Sequence, residues 1–207
     1  MKKILEIDGE QREIEFSDET VEKIFMPFLH ELTALKMTLD RKVVAYLVGC
    51  PGVGKTSTAK FLEQLSRERS NEVEEIRALG IDGFQFTAAY MNVTEIERDG
   101  QKILMRDVLG APETFDVDLL VEKIREARHD GTNWNVYDRK IGDVLPDFWT
   151  VEDDILLIEG NYLLLNEEPW TRVRVLCDYS VFLMTNFSED VERVMRNCGQ
   201  ADETWKL

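Results

Sequence analysis

The chain opens with a stretch in which apolar and polar residues alternate, and a longer stretch with helical spacing follows. The alternation over residues 4–7 and 13–16 predicts an N-terminal β-hairpin whose turn contains Asp8-Gly9. Apolar positions then recur every three or four residues, which predicts a helix that begins at Ser17 or Asp18 and ends near Leu39.

The rest of the chain alternates short apolar runs with amphipathic stretches. The continuous apolar run at residues 43–48 predicts a strand that is buried on both faces, as in a parallel sheet. Further strands are predicted at residues 73–79, 134–137, 155–158 and 179–184, a small hairpin at 93–97 and 102–105, and helices at 54–69, 115–129 and after Ser188. Strands that alternate with helices predict an α/β fold with a mostly parallel sheet. We expect residues 1–40 to form an N-terminal extension and residues 41–207 the main domain.

Composition narrows the class of protein. The 207 residues fit a single domain, and 43% of them are hydrophobic, which is enough for a packed core. The net charge of −16 disfavours nucleic acid and anionic membrane surfaces as partners. No apolar run approaches the length of a membrane span, and three widely spaced cysteines indicate reduced thiols, so we expect a soluble, cytoplasmic protein.

The strongest motif is a glycine-rich segment between the strand at 43–48 and the helix that follows. It satisfies the pattern G-x-x-x-x-G-K-[ST], the phosphate-binding loop (P-loop) of many nucleotide-binding proteins. Its glycines let backbone N–H groups surround phosphate oxygens, Lys55 can reach the β- and γ-phosphates, and the Thr56 hydroxyl can bind Mg²⁺. The residues expected to bind the nucleotide are Gly49, Pro51, Gly52, Val53, Gly54, Lys55, Thr56 and Ser57. Residues 183–188 lack the Asn-Lys-x-Asp segment that usually reads guanine, which argues against a GTPase.

Two acidic residues follow predicted strands and are candidates for chemistry at the same edge of the sheet. Asp82 comes just after residues 73–79 and would lie near the γ-phosphate if that strand neighbours the one before the P-loop. A carboxylate there could accept the proton of an attacking hydroxyl or hold Mg²⁺ through water, although Asp82-Gly83 could equally be a simple turn. Glu159 ends an apolar strand, where it could orient Mg²⁺ or merely begin a loop.

These segments occur in an order that resembles one kinase family. They are Gly49–Thr56, Ile81–Phe84, Gly110–Asp116, Tyr137–Arg139 and Ile158–Leu165. The set resembles the P-loop kinases of the pantothenate kinase, uridine kinase and phosphoribulokinase branch. Within that branch, the hairpin and Glu167–Trp170 look most like the bacterial nucleoside/nucleotide kinase-like or fructose transport system kinase-like proteins. The resemblance implies a three-layer P-loop NTPase fold.

The resemblance also implies roles. Lys55 and Thr56 would bind ATP phosphates and Mg²⁺, Asp82 would be the catalytic base, and Glu159 would lie on the Mg²⁺ side. Asp116 is better interpreted as a helix N-cap. The phosphoryl acceptor is expected to lie among Phe84, Tyr90, Met105, Arg106, Tyr137 and Arg139. We therefore expect an ATP-dependent kinase that phosphorylates a hydroxyl of a small metabolite, namely a sugar, a nucleoside or a pantothenate-like molecule.

Two departures from the family pattern leave alternatives open. Gln85-Phe86-Thr87 replaces a His or Leu followed by an aromatic residue and a proline, so the acceptor contacts are expected to differ. Arg193 and Arg196 stand where a basic lid would begin, but the chain ends eight residues after Gly199. Either the sequence is truncated at the lid, or the protein has lost part of the kinase machinery. In the second case it would bind nucleotide and act as a sensor or a partner-binding protein. Relatives often dimerise, so a homodimer is an alternative to a monomer.

Overall fold

The structure, a computed structural model, describes residues 1–98 and 100–184. It begins with the predicted hairpin and the predicted helix, which is continuous but contains one π-helical turn. The elements are β1 (Lys2–Ile7), β2 (Glu10–Glu15), α1 (Asp18–Thr20), the π-helical turn (Val21–Phe25) and α2 (Met26–Thr38). Ser17 caps the helix, because its Oγ accepts a hydrogen bond from the backbone N–H of Thr20 at 3.0 Å. Pro27 lacks an N–H and lies two residues after the π-helical turn, in which the ordinary helical hydrogen-bonding pattern is interrupted.

The remaining elements alternate between strands and helices, as the periodicity predicts. They are β3 (Val43–Gly49), α3 (Lys55–Glu68), β4 (Ile76–Gly80), a 3₁₀ turn (Asp82–Phe84), α4 (Ala88–Met91), β5 (Glu95–Arg98), β6 (Gln101–Leu104), 3₁₀ turns at Met105–Val108 and Pro112–Thr114, α5 (Val117–His129), β7 (Thr132–Asp138), β8 (Asp143–Val151), β9 (Ile155–Gly160), α6 (Thr171–Arg174) and β10 (Tyr179–Leu183). Asp116 is the N-cap of α5, as expected, with its Oδ1 accepting from the Leu119 N–H at 2.9 Å. The predicted helix after Ser188, and with it Arg193 and Arg196, lies outside the described residues.

Within the described residues, the central sheet has four parallel strands in the order β10, β3, β9, β4. All seven residues of β3 are buried, because helices cover both faces of the sheet. On one face, Val44, Tyr46 and Val48 pack in a core with α5. On the other face, Val43 and Ala45 pack in a core with α2, α3 and β1. The predicted α/β fold, with helix, sheet and helix in three layers, is confirmed.

The sheet order bears on the condition set for Asp82, that the strand before it should neighbour the strand before the P-loop. β4 does not neighbour β3, because β9 lies between them: Val43 pairs with Ile155, and Ile155 pairs with Ile76. Glu159 is therefore on the middle strand of the three, with the end of β3 on one side and Gly80 of β4 on the other. This insertion places Glu159 directly between the P-loop and the turn that carries Asp82.

The predicted strand at residues 134–137 is real but does not join the parallel sheet. It lies in β7, which pairs antiparallel with β8 to form a separate two-stranded ribbon. Sequence reasoning missed β8, which contains Pro146, a residue that normally argues against a strand. The ribbon accommodates it through a register shift between Trp134 and Val136, next to which Asp147 has a φ of +51°.

The N-terminal hairpin packs on the same core as the P-loop helix. Leu5 and Ile7 of β1 are buried, while β2 is almost entirely exposed. Phe16 at the end of the hairpin makes edge-on contacts with the rings of Phe25 and Phe61, each at 4.8 Å between centroids. A two-stranded hairpin is marginally stable alone, so these contacts with α3 hold it in place. Among the described residues, no helix is long and apolar enough to cross a membrane.

Candidate active site

The glycine-rich segment forms a turn between β3 and α3, at the carboxyl end of the sheet. Gly52 and Gly54 have φ values of +78° and +97°, a conformation that glycine adopts without a steric penalty. Gly54 is the N-cap of α3, so the N–H groups at the start of that helix face the loop. The Lys55 side chain is buried and folds back over the loop, with Nζ donating to the Cys50 carbonyl oxygen at 2.9 Å. This arrangement offers phosphate oxygens a ring of backbone donors and one ammonium group.

Gly49 is needed for a different reason, the close approach of β10. A Cβ atom at this position would lie 2.7 Å from the carbonyl oxygen of Leu183 and 2.9 Å from Cγ1 of Val53. Both distances are shorter than atoms of this kind tolerate, so a larger residue would push β10 or the P-loop out of place.

Thr56 and Glu159 form a hydrogen-bonded pair beside the P-loop. The Thr56 hydroxyl donates to Oε1 of Glu159 at 2.7 Å. Burial and the nearby negative charge of Asp82 together raise the pKa of Glu159 to about 7, against the opposing effects of the hydrogen bond from Thr56 and the charges of Lys55 and Arg139. A hydroxyl and a carboxylate are hard oxygen donors, so this pair suits Mg²⁺, which takes few protein ligands and fills the rest of its shell with water and phosphate.

Asp82 begins the 3₁₀ turn directly after β4 and is on the same edge of the sheet. The pKa of Asp82 is raised overall: partial burial and the negative charge of Asp8 raise it, and the charges of Arg139 and Lys55 offset only part of this. Its Oδ2 lies 3.6 Å from Nη2 of Arg139, and half of its side-chain surface remains open. An accessible carboxylate with a raised pKa is a suitable proton acceptor for a bound hydroxyl group.

A cavity of about 520 Å³ extends from these carboxylates between β1, α3, β4 and the β7–β8 ribbon. Asp82, Glu159 and Thr56 lie among its walls, and so do Tyr137 and Arg139, two of the residues predicted to contact the acceptor. Burial also raises the pKa of the Tyr137 hydroxyl, which therefore stays protonated and able to donate a hydrogen bond.

Four other residues expected at the acceptor site do not line this cavity. Phe84 is 1% exposed and packs edge-on against Trp134 at 4.8 Å, so its ring is part of the core. Met105 is likewise buried, whereas Tyr90 is 47% exposed and lies on Phe86. Arg106 is also exposed. The chain turns inward after Asp82, which directs the Phe84 ring into the core and away from the cavity, whereas Tyr90 and Arg106 are exposed outside it.

Sequence reasoning missed the wall that the N-terminal hairpin contributes. Residues 5–9 line the cavity, and Oδ2 of Asp8 lies 2.9 Å from Nε of Arg139. The outer end of the cavity is formed by Phe148 and Trp149 of β8 with Arg77, whose guanidinium lies 5.9 Å from the centre of the Trp149 ring. The signal for the hairpin was the Asp8-Gly9 turn, but sequence alone does not say which part of the fold a turn faces.

Comparisons with known proteins agree with this geometry. Residues 44–198 match the phosphoribulokinase / uridine kinase family. The chain is 32% identical over 184 residues to the "Uncharacterized protein YggC" of Escherichia coli, covering 88% of this chain and 73% of that protein. It is also 32% identical over 161 residues to a "Putative uridine kinase C227.14" of Schizosaccharomyces pombe, covering 75% of this chain and 66% of that protein.

Two solved structures share the fold. A "putative fructose transport system kinase" from Silicibacter sp. TM1040 superposes with a TM-score of 0.66 at 21% identity, covering 82% of each chain. YFH7 from Saccharomyces cerevisiae, described as "a putative P-loop containing kinase with a circular permutation", superposes with a TM-score of 0.68 at 15% identity, covering 87% of each chain. With its P-loop, its sheet order and a family match over most of its length, this chain belongs to the phosphoribulokinase / uridine kinase family of P-loop kinases.

Proposed function

We propose that this protein transfers the γ-phosphoryl group of ATP to a hydroxyl group of a small metabolite. The observation that carries the proposal is the convergence of Thr56, Glu159 and Asp82 at the end of the cavity that adjoins the P-loop. Family membership supports a phosphotransferase, and the cavity supplies room for the molecule that is phosphorylated.

The P-loop residues would bind the triphosphate of ATP. Backbone N–H groups of the loop and the N-terminus of α3 surround the phosphate oxygens, and Lys55 places its ammonium on the transferred group. Thr56 and Glu159 would hold Mg²⁺, which when bound neutralises negative charge on the phosphates. For this role the proton that burial favours on Glu159 must leave, so occupancy falls as the pH drops below about 7.

Asp82 would accept the proton of the acceptor hydroxyl. As the hydroxyl oxygen forms its bond to the γ-phosphorus, the bond from that phosphorus to the bridging oxygen breaks. ADP leaves with the electron pair, and the released proton stays on Asp82. Burial helps here, because the raised pKa of Asp82 makes its carboxylate a stronger base than one in water. Arg139 then lies beside the reacting groups and can stabilise negative charge on them.

The cavity indicates what kind of acceptor fits. Its inner end is polar, with Tyr137 and Arg139 able to donate hydrogen bonds, and its outer end has the aromatic rings of Phe148 and Trp149. Such a site suits a polyhydroxylated or anionic molecule with an extended body. Sugars, nucleosides and pantothenate-like molecules are the acceptor classes that we propose.

A panel of these acceptors tests the proposal. Each is incubated with the protein, Mg²⁺ and either ATP or GTP, and ADP or GDP formation is measured with and without acceptor. We expect one class of acceptor to stimulate turnover with ATP. Nucleotide binding without turnover on any acceptor would instead favour a sensing or partner-binding protein, and preference for GTP would contradict the nucleotide assignment.

A further inference from the structure

The tip of the N-terminal hairpin lies against the segment that carries Arg139. Asp8 adopts a left-handed backbone conformation, with a φ of +55°, and its carboxylate pairs with Nε of Arg139 at 2.9 Å. At Gly9, a Cβ atom would lie 3.3 Å from Nζ of Lys140, so the two segments are in close contact. The hairpin tip is therefore a wall of the cavity that contains Asp82.

The position of this tip is fixed from the other end of the hairpin. Lys3 is paired with Glu68 of α3, and the N-terminal ammonium group donates to the Phe16 carbonyl at 2.7 Å and to Asp18 at 2.8 Å. Leu5 and Ile7, on the inner face of β1, are buried. Since α3 begins at the P-loop, these contacts tie the tip to the same rigid element that would bind ATP.

Arg139 lies between two carboxylates. One edge of its guanidinium contacts Asp8, and Nη2 lies 3.6 Å from Oδ2 of Asp82, beyond direct hydrogen-bonding distance. An arginine that closed fully onto Asp82 would neutralise the proposed base and occupy the place of the acceptor hydroxyl. The pair with Asp8 opposes that closure, because it holds the guanidinium by its Nε edge.

We infer that Asp8 is a positioning residue for phosphoryl transfer: it holds Arg139 in the acceptor site and keeps it from pairing fully with Asp82. The inference rests on the proposed kinase function and adds the hairpin to the acceptor site. It predicts that a change at Asp8 affects use of the acceptor and leaves ATP binding intact.

The test compares Asp8→Asn with a matched variant on the same hairpin. Asparagine tolerates the left-handed conformation, so Asp8→Asn keeps the turn and removes only the charge. Glu10→Gln is the control, because Glu10 carries the same charge but pairs with the exposed Arg12 outside the cavity. We expect Asp8→Asn to lower kcat/KM for the acceptor about tenfold, corresponding to ~1.4 kcal/mol. The KM for ATP is expected to stay within about twofold, and Glu10→Gln to behave as wild type.

A double-mutant cycle shows whether Asp8 acts through Arg139. In an Arg139→Gln background, Asp8→Asn should cause no further loss of kcat/KM, because the residue that it positions is gone. Equal losses in both backgrounds, or equal behaviour of Asp8→Asn and Glu10→Gln, would overturn the inference.

A spectroscopic measurement separates this inference from the proposed function. The Nε–H resonance of Arg139, assigned by its disappearance in Arg139→Gln, should be protected from solvent exchange in the wild-type protein. It should lose that protection in Asp8→Gly, which removes the hydrogen-bond acceptor and tolerates the left-handed conformation at this position, but keep it in Glu10→Gln. If no acceptor is phosphorylated while this resonance behaves as expected, the proposed function fails and the contact stands. If the resonance is unchanged in Asp8→Gly, the positioning role fails whatever the activity.

Discussion

The raised pKa of Glu159 leads to a prediction about the stability of the ligand-free protein, and this prediction can be tested before any acceptor is known. Burial raises the pKa of this carboxyl from 4.5 to about 7. The folded protein therefore binds the Glu159 proton more tightly than the unfolded chain does. Between about pH 4.5 and 7 the unfolded state has released this proton while the folded state retains it, so stability falls as the pH rises through that window. Replacing Glu159 by Gln removes this dependence.

The size of the effect on the free energy of unfolding follows from the difference between the folded and unfolded pKa values of Glu159. At 1.36 kcal/mol per pH unit, a rise from 4.5 to about 7 corresponds to roughly 3 kcal/mol for a fully enclosed group. Because the side chain borders the cavity, solvent screening reduces this to about 1–2 kcal/mol. For a chain of this length, 1 kcal/mol shifts the Tm by about 2–4 °C. Glu159→Gln should thus raise the Tm relative to wild type by about 2–8 °C at pH 8 and by much less at pH 5.

The assay is thermal or urea unfolding of both proteins at pH 5 and pH 8, without Mg²⁺ or nucleotide. Glutamine can still accept the hydrogen bond from Thr56, so the pair itself is retained. Glu31→Gln, at an exposed position on α2, controls for the change in net charge. If the Tm difference between Glu159→Gln and wild type is the same at both pH values, Glu159 is not a carboxyl with a raised pKa, and the reasoning fails.

Three further predictions concern the P-loop lysine, the packing of the P-loop against β10, and the ion pair between Asp178 and Arg41. Lys55→Met should lower turnover by on the order of 10²-fold or more, because it removes the ammonium group expected on the transferred phosphate, while the Tm stays near that of wild type; unchanged turnover would remove Lys55 from the chemistry. Gly49→Ala should destabilise the protein by about 1–3 kcal/mol in urea unfolding, because the added methyl meets the Leu183 carbonyl at 2.7 Å, and a neutral result would show that β10 can shift without cost. Asp178→Asn should cost about 3 kcal/mol, because Asp178 accepts two hydrogen bonds of 2.7 Å from Arg41 and lies against Arg128. Arg41 helps to keep the pKa of Asp178 below its usual value, so the stability that the Asp178–Arg41 pair provides is present above about pH 4 and is lost as the pH falls further. If the loss of stability below about pH 4 is the same in Asp178→Asn and in wild type, this assignment is contradicted.

Local patterns in the sequence were sufficient for β3 and for the P-loop. The unbroken apolar run of β3 predicts a strand with both faces covered, and its seven residues are buried. The glycine-rich segment predicts a turn before a helix, and the structure has Gly54 in a left-handed conformation at the start of α3. In both cases the signal is contained within a few consecutive residues, so no knowledge of the rest of the fold was needed.

Features that depend on long-range packing were not predictable. Nothing in the run Ile155–Gly160 says that it enters the sheet between β3 and β4 rather than beside them, yet this insertion brings Glu159 to Thr56. β8 contains Pro146 and, among the described residues, pairs only with β7, so its sequence is not typical of a strand.

The same limit applies to individual site residues. Phe84 was expected at the acceptor site, but only two residues after Asp82 the backbone has turned its ring into the core. Asp8 reaches the site from the N-terminal hairpin, 131 positions before Arg139 (139 minus 8), and only the packing of β1 on α3 brings them together.

The most direct test of the proposed kinase function is transfer of a radiolabelled γ-phosphate from ATP to the acceptor that stimulates turnover. Wild-type protein is compared with Asp82→Asn and with Asp40→Asn, an exposed control in which the same charge is removed away from the cavity. If Asp82 accepts the hydroxyl proton, label appears in the acceptor with wild type and Asp40→Asn. With Asp82→Asn it falls by on the order of 10²-fold or more, while ATP binding persists. If Asp82→Asn transfers label as fast as wild type, or if label never leaves ATP with any acceptor, the assignment of this site as the centre of phosphoryl transfer is contradicted.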